Sequence, residues 1–270
     1  MLLSEVGYAR PASVDDAVRL LAEHDGARAL AGGQTLLNVM KARAAAPDVL
    51  VDLADLDELR TISRGSDGGL ELGPMATCAE LIGSADVSEA RPILAEVAAQ
   101  IADVQVRNRG TVGGNVCSND PTNHLPPLMV ALRAEMTIAG TDGERTVPAE
   151  EFFLGVYMTA VGPGELLTRI AIPPSEGGDG FASVAIGADG TCIVNAAASV
   201  GADGARVAIG CVAAVPVLVT SAADEETVRE AVRGTDLDPP SDVHGSAEYR
   251  RHLAEVVAAR AVAQAAGRVR

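Results

Sequence analysis

Two adjacent glycines, Gly32 and Gly33, stand where the chain could bind a phosphate group. They follow a short apolar segment and precede Gln34, Thr35 and a run with helical spacing. A glycine pair allows the backbone to approach a bulky anion with several N–H groups directed at it. Neither GxxxxGK[ST] nor GxGxxG is present, so the common nucleotide motifs are absent. A tight turn in which Thr35 caps the following helix is the alternative interpretation.

A second pair, Gly113 and Gly114, lies in the segment 105–115, which is rich in turn-forming residues. Hydroxyl, amide and carboxylate side chains flank it, namely those of Thr111, Asn115, Ser118, Asn119 and Asp120. Two glycine-rich turns with such side chains suit a ligand that carries both a pyrophosphate and a polyol. For this segment taken alone, a glycine hairpin with capping side chains is an equally good interpretation.

The sequence gives little support for a metal site, a disulfide framework or a catalytic site. The four cysteines are far apart, and no CxxC pair occurs: Cys78, Cys117, Cys192 and Cys211. This spacing argues against a zinc site, an iron–sulfur site and a disulfide framework. No Ser–His–Asp or Cys–His set is apparent, and the acidic runs lack a histidine at ligand spacing. We therefore predict neither a metal site nor a catalytic residue on this chain.

The amino-acid composition limits the kinds of molecule that the chain can bind. The 270 residues carry a net charge of −16, with 21 basic and 37 acidic side chains, only 2% aromatic residues and no Trp. Such a chain is a poor partner for nucleic acid and for anionic membranes. The uncharged stretch 207–223 is short for a membrane span and contains Gly210 and Pro216, so we predict a pair of buried strands there. With no signal peptide at its start, the chain is expected to be cytoplasmic.

The pattern of apolar residues predicts an α+β fold. Capping residues predict helix starts at Ser13, Thr77 and Ser246, and Pro92 is expected at the first position of another helix. We expect a flexible linker at 175–180 and a face of the last helix shared by Tyr249, Leu253, Val256 and Val257. The remaining expected elements are helices over 14–23, 36–40, 125–132 and 224–232, strands over 28–31, 48–53, 70–72, 165–172, 192–200 and 205–213, and a hairpin turn at 201–204.

Two longer segments carry a family resemblance. AGGQTLLNVMK (31–41) and QVRNRGTVGGN (105–115) together resemble the FAD-binding medium subunit of the molybdenum hydroxylases, a family that includes xanthine dehydrogenase and aerobic carbon monoxide dehydrogenase. GELLTRIAIP (164–173) and SAEYRRHLAEVVAARAV (246–262) extend the resemblance over essentially the whole chain. It implies a PCMH-type FAD-binding domain over 1–175, in subdomains of about 1–56 and 57–175. A smaller α+β C-terminal domain of sheet and helices is implied over 181–270.

The resemblance also implies which residues bind FAD. They are Ala31, Gly32, Gly33, Gln34 and Thr35 for the pyrophosphate, Thr111, Gly113, Gly114 and Asn115 for the diphosphate and ribityl chain, Asp120 in an acidic run, and Leu167 in the flavin pocket. Two positions depart from the family pattern. His124 replaces an acid that usually contacts FAD, and it could instead cap a helix. Ser183 stands where many relatives carry Lys or Tyr.

The implied function is that of an electron-transfer subunit of an oxidoreductase. A large subunit would hold molybdopterin and a small subunit two [2Fe-2S] clusters, and the resemblance implies that the three chains assemble as a dimer of heterotrimers. FAD on this chain would pass electrons to NAD, a quinone or oxygen, and the missing NAD fingerprint favours the last two. Two alternatives stay open: a free-standing flavin oxidase or dehydrogenase, for which we find no catalytic His or Tyr, and a non-enzymatic binding module.

Overall fold

The computed structural model describes residues 2–187 and 190–269. It confirms the predicted α+β class, because three main sheets, each packed against helices, follow one another along the chain. The first sheet has three parallel strands, the second has five antiparallel strands and the third has four antiparallel strands. In the described part of the chain, no helix is long and apolar enough to cross a membrane.

The first sheet, in the order β1-β3-β2, carries the first glycine pair on the connection that leaves β2. As predicted, the Ser13 hydroxyl caps the first helix by accepting the Asp16 N–H at 3.1 Å, and Ala17, Val18 and Leu21 form its buried face. The elements are β1 (Gly7–Ala9), α1 (Val14–Glu23), β2 (Ala27–Leu30), α2 (Leu36–Lys41) and β3 (Val49–Asp52).

The second sheet has the order β4-β5-β10-β6-β7. Along the chain, helices α3 to α8 lie between β5 and β6. Thr77 and Glu80 form the capping box of α3, and Pro92 begins α5, as predicted. The elements are β4 (Ile62–Arg64), β5 (Leu70–Leu72), α3 (Cys78–Gly83), α4 (Ala85–Ala90), α5 (Pro92–Ala98), α6 (Val104–Arg109), α7 (Val112–Ser118), α8 (Leu125–Ala131), β6 (Glu135–Gly140), β7 (Gly143–Pro148), α9 (Ala149–Phe152), β8 (Phe153–Gly155), β9 (Met158–Thr159) and β10 (Leu166–Ile172).

The segment 105–115 corrects one expectation. It was predicted as turns or a hairpin, but it forms helix α6, a short junction and the first turn of α7, which contains Gly113 and Gly114. Glycine lowers helix stability by about 1 kcal/mol per residue. Burial of Val112 and Val116 in the main hydrophobic core offsets this loss. Tertiary packing therefore overrides the local preference of the glycines.

The third sheet is a meander, β11-β12-β13-β14, covered by two helices. The predicted hairpin at 201–204 is confirmed, and the uncharged stretch 207–223 contains two strands. Ser246 caps the last helix as predicted, but Tyr249 is 46% exposed and does not share the buried face of Leu253 and Val257. The elements are β11 (Gly178–Ile186), β12 (Thr191–Gly201), β13 (Gly204–Gly210), β14 (Val217–Ser221), α10 (Glu225–Arg233) and α11 (Ala247–Ala266).

The predicted linker at 175–180 is strand in its second half, since β11 begins at Gly178. Its glycines allow close packing. A Cβ at Gly178 would lie 2.0 Å from the Ala265 carbonyl oxygen, and one at Gly180 would lie 2.1 Å from that of Ala261. Only the absence of a side chain lets β11 lie against the backbone of α11.

A buried ion pair ties the two parts of the chain together. Arg91, between α4 and α5, donates through one guanidinium nitrogen to both carboxylate oxygens of Asp179 on β11, at 2.9 and 2.7 Å. Its other nitrogens donate to the carbonyl oxygens of Pro173 and Pro174. The two charged side chains are only 3% and 6% exposed. Such a pair is strongly destabilised when one partner is removed.

We predict that Asp179→Ala lowers the free energy of unfolding by about 3–5 kcal/mol, because the Arg91 guanidinium stays buried without its counter-charge. Urea unfolding of the full chain measures the change. Glu89→Ala is the control, since it breaks the exposed Arg64–Glu89 pair, and it should change the same quantity by less than about 1 kcal/mol. Equal effects of the two substitutions would contradict the role given to the buried pair.

Candidate functional site

The connection between β2 and α2 presents a run of unpaired backbone N–H groups. Those of residues 32–35 donate no hydrogen bond to any residue within 2–187 and 190–269. Gly33 has φ +72°, a left-handed conformation that glycine adopts without strain. Consecutive N–H groups around such a residue form a concave site for an anion. The loop therefore has the donor set that a phosphate group needs.

The side chains of this loop do not cap the helix. Thr35 is exposed, and its hydroxyl forms no capping hydrogen bond, so the alternative interpretation of a capped turn is not what the structure shows. Gln34 donates through Nε2 to the Gly32 carbonyl oxygen at 3.0 Å, which stabilises the turn. Asn38 donates to the Gln34 carbonyl oxygen at 2.7 Å. The Thr35 hydroxyl is thereby left accessible to a ligand.

The second glycine pair differs from the first, because its N–H groups are already used within the protein. Gly113 donates to the Pro74 carbonyl oxygen at 2.8 Å, and Gly114 donates to the hydroxyl of buried Thr111 at 3.0 Å. The Val112 N–H donates to the carbonyl oxygen of Ala76 at 2.9 Å. A Cβ at Gly113 would lie 2.4 Å from the Pro74 Cβ. Gly113 thus has no free N–H and almost no exposed surface to offer a ligand.

The two predicted segments meet in space. A Cβ at Gly32 would lie 2.1 Å from the Arg109 carbonyl oxygen, so the first loop packs directly on the end of α6. A Cβ at Gly114 would lie 3.7 Å from the Ala31 Cβ. The structure therefore places the start of α7 beside the loop with the free N–H groups. Ala31, Gly32 and Gly114 form the seam between them.

Asn115 carries an unpaired acceptor next to this seam. Its Oδ1 is buried and has no hydrogen-bond partner among the described residues. Its carbonyl oxygen accepts from the Ser118 hydroxyl and from Asn123 Nδ2, each at 3.0 Å. Buried side-chain oxygens rarely remain unpaired in native proteins. A hydroxyl of a bound polyol would supply the missing donor.

Asp120 belongs to a polar cluster that sequence reasoning only partly identified. Its carboxylate accepts from the Thr122 N–H and hydroxyl, at 2.9 and 2.8 Å, and from the Tyr157 hydroxyl at 3.0 Å. Partial burial and the Asp120 charge raise the pKa of Tyr157. Buried Asn119 donates to the Gly155 carbonyl oxygen at 2.7 Å and so fixes the β8–β9 turn that carries Tyr157. Tyr157 was missed because no local sequence signal links it to Asp120.

His124 and Leu167 lie in the interior. His124 is 6% exposed, makes no capping hydrogen bond, and packs against Phe181 with ring centroids 5.2 Å apart. Burial lowers the pKa of His124, so the ring is neutral at pH 7. Leu167 is 1% exposed in the main core and pairs with Ile138. Neither side chain presents appreciable surface to a ligand in this conformation.

Among residues 2–187 and 190–269, no group of three or more His, Cys, Asp or Glu side chains could hold a metal ion. The four cysteines carry free thiols. The arrangement around the seam therefore offers neutral hydrogen-bond donors and acceptors rather than metal ligands. It is suited to holding a phosphorylated organic ligand.

Two family matches cover nearly the whole chain. Residues 4–175 match the family described as FAD binding domain in molybdopterin dehydrogenase. Residues 181–265 match the family described as CO dehydrogenase flavoprotein C-terminal domain. The carbon monoxide dehydrogenase medium chain of Afipia carboxidovorans is 39% identical, and the match covers 100% of both chains. The nicotine 6-hydroxylase medium subunit of Paenarthrobacter nicotinovorans is 32% identical over 99% of this chain and 100% of that one.

Solved structures agree with these matches. A chain of reconstituted CO dehydrogenase from Oligotropha carboxidovorans superposes with a TM-score of 0.93 at 34% identity, with full coverage of both chains. A chain of quinoline 2-oxidoreductase from Pseudomonas putida superposes with a TM-score of 0.91 at 35% identity, covering 99% of each chain. At these identities the likeness extends beyond the fold.

We predict that Gly113→Ala lowers the free energy of unfolding by about 1–3 kcal/mol or more, because its Cβ would overlap the backbone of Pro74. Thermal and urea unfolding measure the change. Gly83→Ala is the matched helical control, since a Cβ there has no neighbour within 4 Å, and it should be neutral or slightly stabilising. A neutral Gly113→Ala would show that α7 is not held against Pro74 in this way.

Proposed function

The chain belongs to the family of FAD-binding medium subunits of the molybdenum hydroxylases, and we propose that it binds one FAD at the seam between the β2–α2 loop and α7. It is a subunit of an oxidoreductase, the flavoprotein component of a molybdopterin-dependent enzyme. One observation carries the proposed site. Two segments that are distant in sequence meet there, with a run of free N–H groups on one side and an unpaired Asn115 oxygen on the other.

The free N–H groups suit the FAD diphosphate. Residues 32–35 supply the backbone donors, and the Thr35 hydroxyl adds a side-chain donor. Each hydrogen bond to a charged group contributes about 1.5–3 kcal/mol. Arg109 ends the adjoining α6 with its carbonyl oxygen against Gly32, whereas the Arg107 guanidinium donates to the carbonyl oxygens of Ile101 and Ala102.

Asn115 suits a hydroxyl of the ribityl or ribose group, because its buried Oδ1 lacks a donor. Gly114 contributes by its small size, since its N–H is occupied by Thr111 and its Cα faces Ala31. Thr111 and Gly113 contribute indirectly, because they fix the position of the first turn of α7. Asp120 lies beyond the C-terminal end of the same helix, where Tyr157 and Thr122 hold its carboxylate.

When bound, the flavin supplies electron transfer between [2Fe-2S] clusters of a small partner subunit and an external acceptor. The chain itself binds and orients the cofactor. Molybdopterin and the substrate pocket belong to a large partner subunit in this proposal, and the complex is a dimer of heterotrimers in the cytoplasm. NAD, a quinone and oxygen are the candidate acceptors. The chain is similar to subunits of enzymes named for carbon monoxide, nicotine and caffeine, which supports a substrate pocket on the partner.

We predict that the full chain takes up one FAD non-covalently and that FMN, which lacks the diphosphate, binds much more weakly. Gly33→Ala should weaken FAD binding roughly ten- to a hundredfold, because a side chain at positive φ favours a relaxed loop whose N–H groups no longer converge. Fluorescence titration with each flavin measures both effects.

Gly68→Ala is the matched control for this substitution. Gly68 also has a positive φ, of +88°, but it lies in the turn between β4 and β5 with no neighbour within 4 Å of its Cβ. It should alter stability without altering FAD affinity. Equal affinities of the Gly33→Ala chain and the native chain would place the diphosphate elsewhere.

We also predict that the FAD-loaded chain alone oxidises no purine, aldehyde, N-heterocycle or carbon monoxide, although dithionite reduces its flavin. Co-expression with the large and small partner subunits should give turnover. Absorbance at the flavin band, recorded anaerobically with each substrate, makes the test. Reduction of the flavin by a substrate in the isolated chain would favour the free-standing oxidase or dehydrogenase instead.

A further inference from the structure

Two thiols lie together inside the C-terminal sheet. Cys192 is on β12 and Cys211 immediately follows β13, and their exposed fractions are 2% and 4%. The buried amide of Asn195 joins them, since its Nδ2 lies 3.3 Å from the Cys192 sulfur and 3.8 Å from the Cys211 sulfur. β12 and β13 are paired at Asn195 and Gly210, which brings the two cysteines close across the sheet. Their separation in sequence had argued against any pairing.

The groups around the two thiols shift their pKa values in opposite directions. A hydrogen bond with the Cys211 thiol lowers the pKa of Cys192, and the Arg250 guanidinium lowers it further. The same hydrogen bond raises the pKa of Cys211. Arg250 is 4% exposed, and its guanidinium donates to the Ile193 carbonyl oxygen and to the Asp242 carboxylate, each at 2.7 Å. The thiolate is the reactive form of cysteine, so these pKa directions favour Cys192 as the first of the two to react.

The backbone at Cys211 is unusual. Its φ is +67°, a left-handed conformation that is strained for a residue with a side chain. Cys211 also lines a crevice of about 10 Å³ together with Asn119, Asp120 and Asn123. This volume corresponds to about one water molecule. A small oxidant can therefore approach the pair on its Cys211 side, and it needs some rearrangement to reach the Cys192 sulfur, which does not line the crevice.

We propose that Cys192 and Cys211 form a redox-active dithiol that a peroxide converts to an intramolecular disulfide. The Cys192 thiolate attacks one oxygen of hydrogen peroxide, the O–O bond breaks, and the other oxygen leaves as hydroxide and takes up a proton to become water. The Cys211 sulfur then attacks the resulting sulfenic acid, forms the S–S bond and releases a second water. The two thiols lose two electrons and two protons, and the peroxide is reduced to two waters.

Formation of the disulfide would alter the contact between Asn195 and the 119–124 loop, which lies next to the proposed FAD site. Asn195 Nδ2, which contacts both sulfurs, also donates to the Asn123 carbonyl oxygen at 3.2 Å. Asn123 lies between Asp120 and His124, so a change at the sulfurs reaches this loop through one side chain. The dithiol chemistry itself involves only residues of this chain and does not depend on the proposed FAD binding.

The test starts from the full-length chain, treated briefly with hydrogen peroxide under native conditions, then unfolded and alkylated. We expect the number of free thiols to fall from four to two, with peptides containing Cys192 and Cys211 joined in mass spectra and separated again by dithiothreitol. Four free thiols after treatment, a disulfide between other cysteines, or a disulfide between two chains would overturn the proposal.

Substitutions test the order of the two steps. In Cys211→Ser, Cys192 should accumulate as a sulfenic acid that dimedone traps, whereas in Cys192→Ser the remaining Cys211 should stay reduced. Cys78→Ser and Cys117→Ser are the controls, since burial raises the pKa of these thiols to about 11 and about 12, and both variants should still form the disulfide. Mapping the joined peptides in the native chain decides the question even if a variant fails to fold.

Discussion

Contact between backbones, without a side chain between them, is the constraint on which this molecule depends. The first loop lies on the end of α6 only because Gly32 has no Cβ, and α7 lies against Pro74 only because Gly113 has none. The same kind of backbone contact occurs in the C-terminal domain, where Gly178 and Gly180 let β11 lie against α11. Backbone groups approach one another closely at each of these points, so a single methyl group would separate whole elements rather than one side chain.

The two glycine pairs, Gly32–Gly33 and Gly113–Gly114, therefore have different structural roles. The N–H groups of the first loop lack partners in the protein, whereas those of Gly113 and Gly114 are satisfied by Pro74 and Thr111. The first loop can therefore bind an anion, and the second segment supplies a rigid wall and the oxygen of Asn115. A ligand with a diphosphate at one point and hydroxyls nearby would suit both surfaces, which is the basis on which we propose FAD.

The C-terminal domain reaches this site through a few polar contacts. Arg91 and Asp179 join the two parts of the chain at one place, and Asn195 joins the third sheet to the 119–124 loop at another. His124 also packs on Phe181. Because buried polar contacts require specific partners, the relative position of the domains is specified more sharply than apolar packing alone would achieve.

Local chemistry could be predicted from the sequence. Ser13, Thr77 and Ser246 were correctly placed as caps because a cap bonds to an N–H within three residues, and the first glycine pair was correctly placed between a strand and a helix. The helical state of 105–115 and the strand at 178 were missed, because both depend on packing against Pro74 and α11, which are distant in sequence. The Tyr157–Asp120 contact and the paired thiols likewise arise from chain crossings that local spacing does not encode. The sequence thus determined which groups are available, and the tertiary structure decided which of them remain free to bind, since only packing determines which N–H groups already have partners.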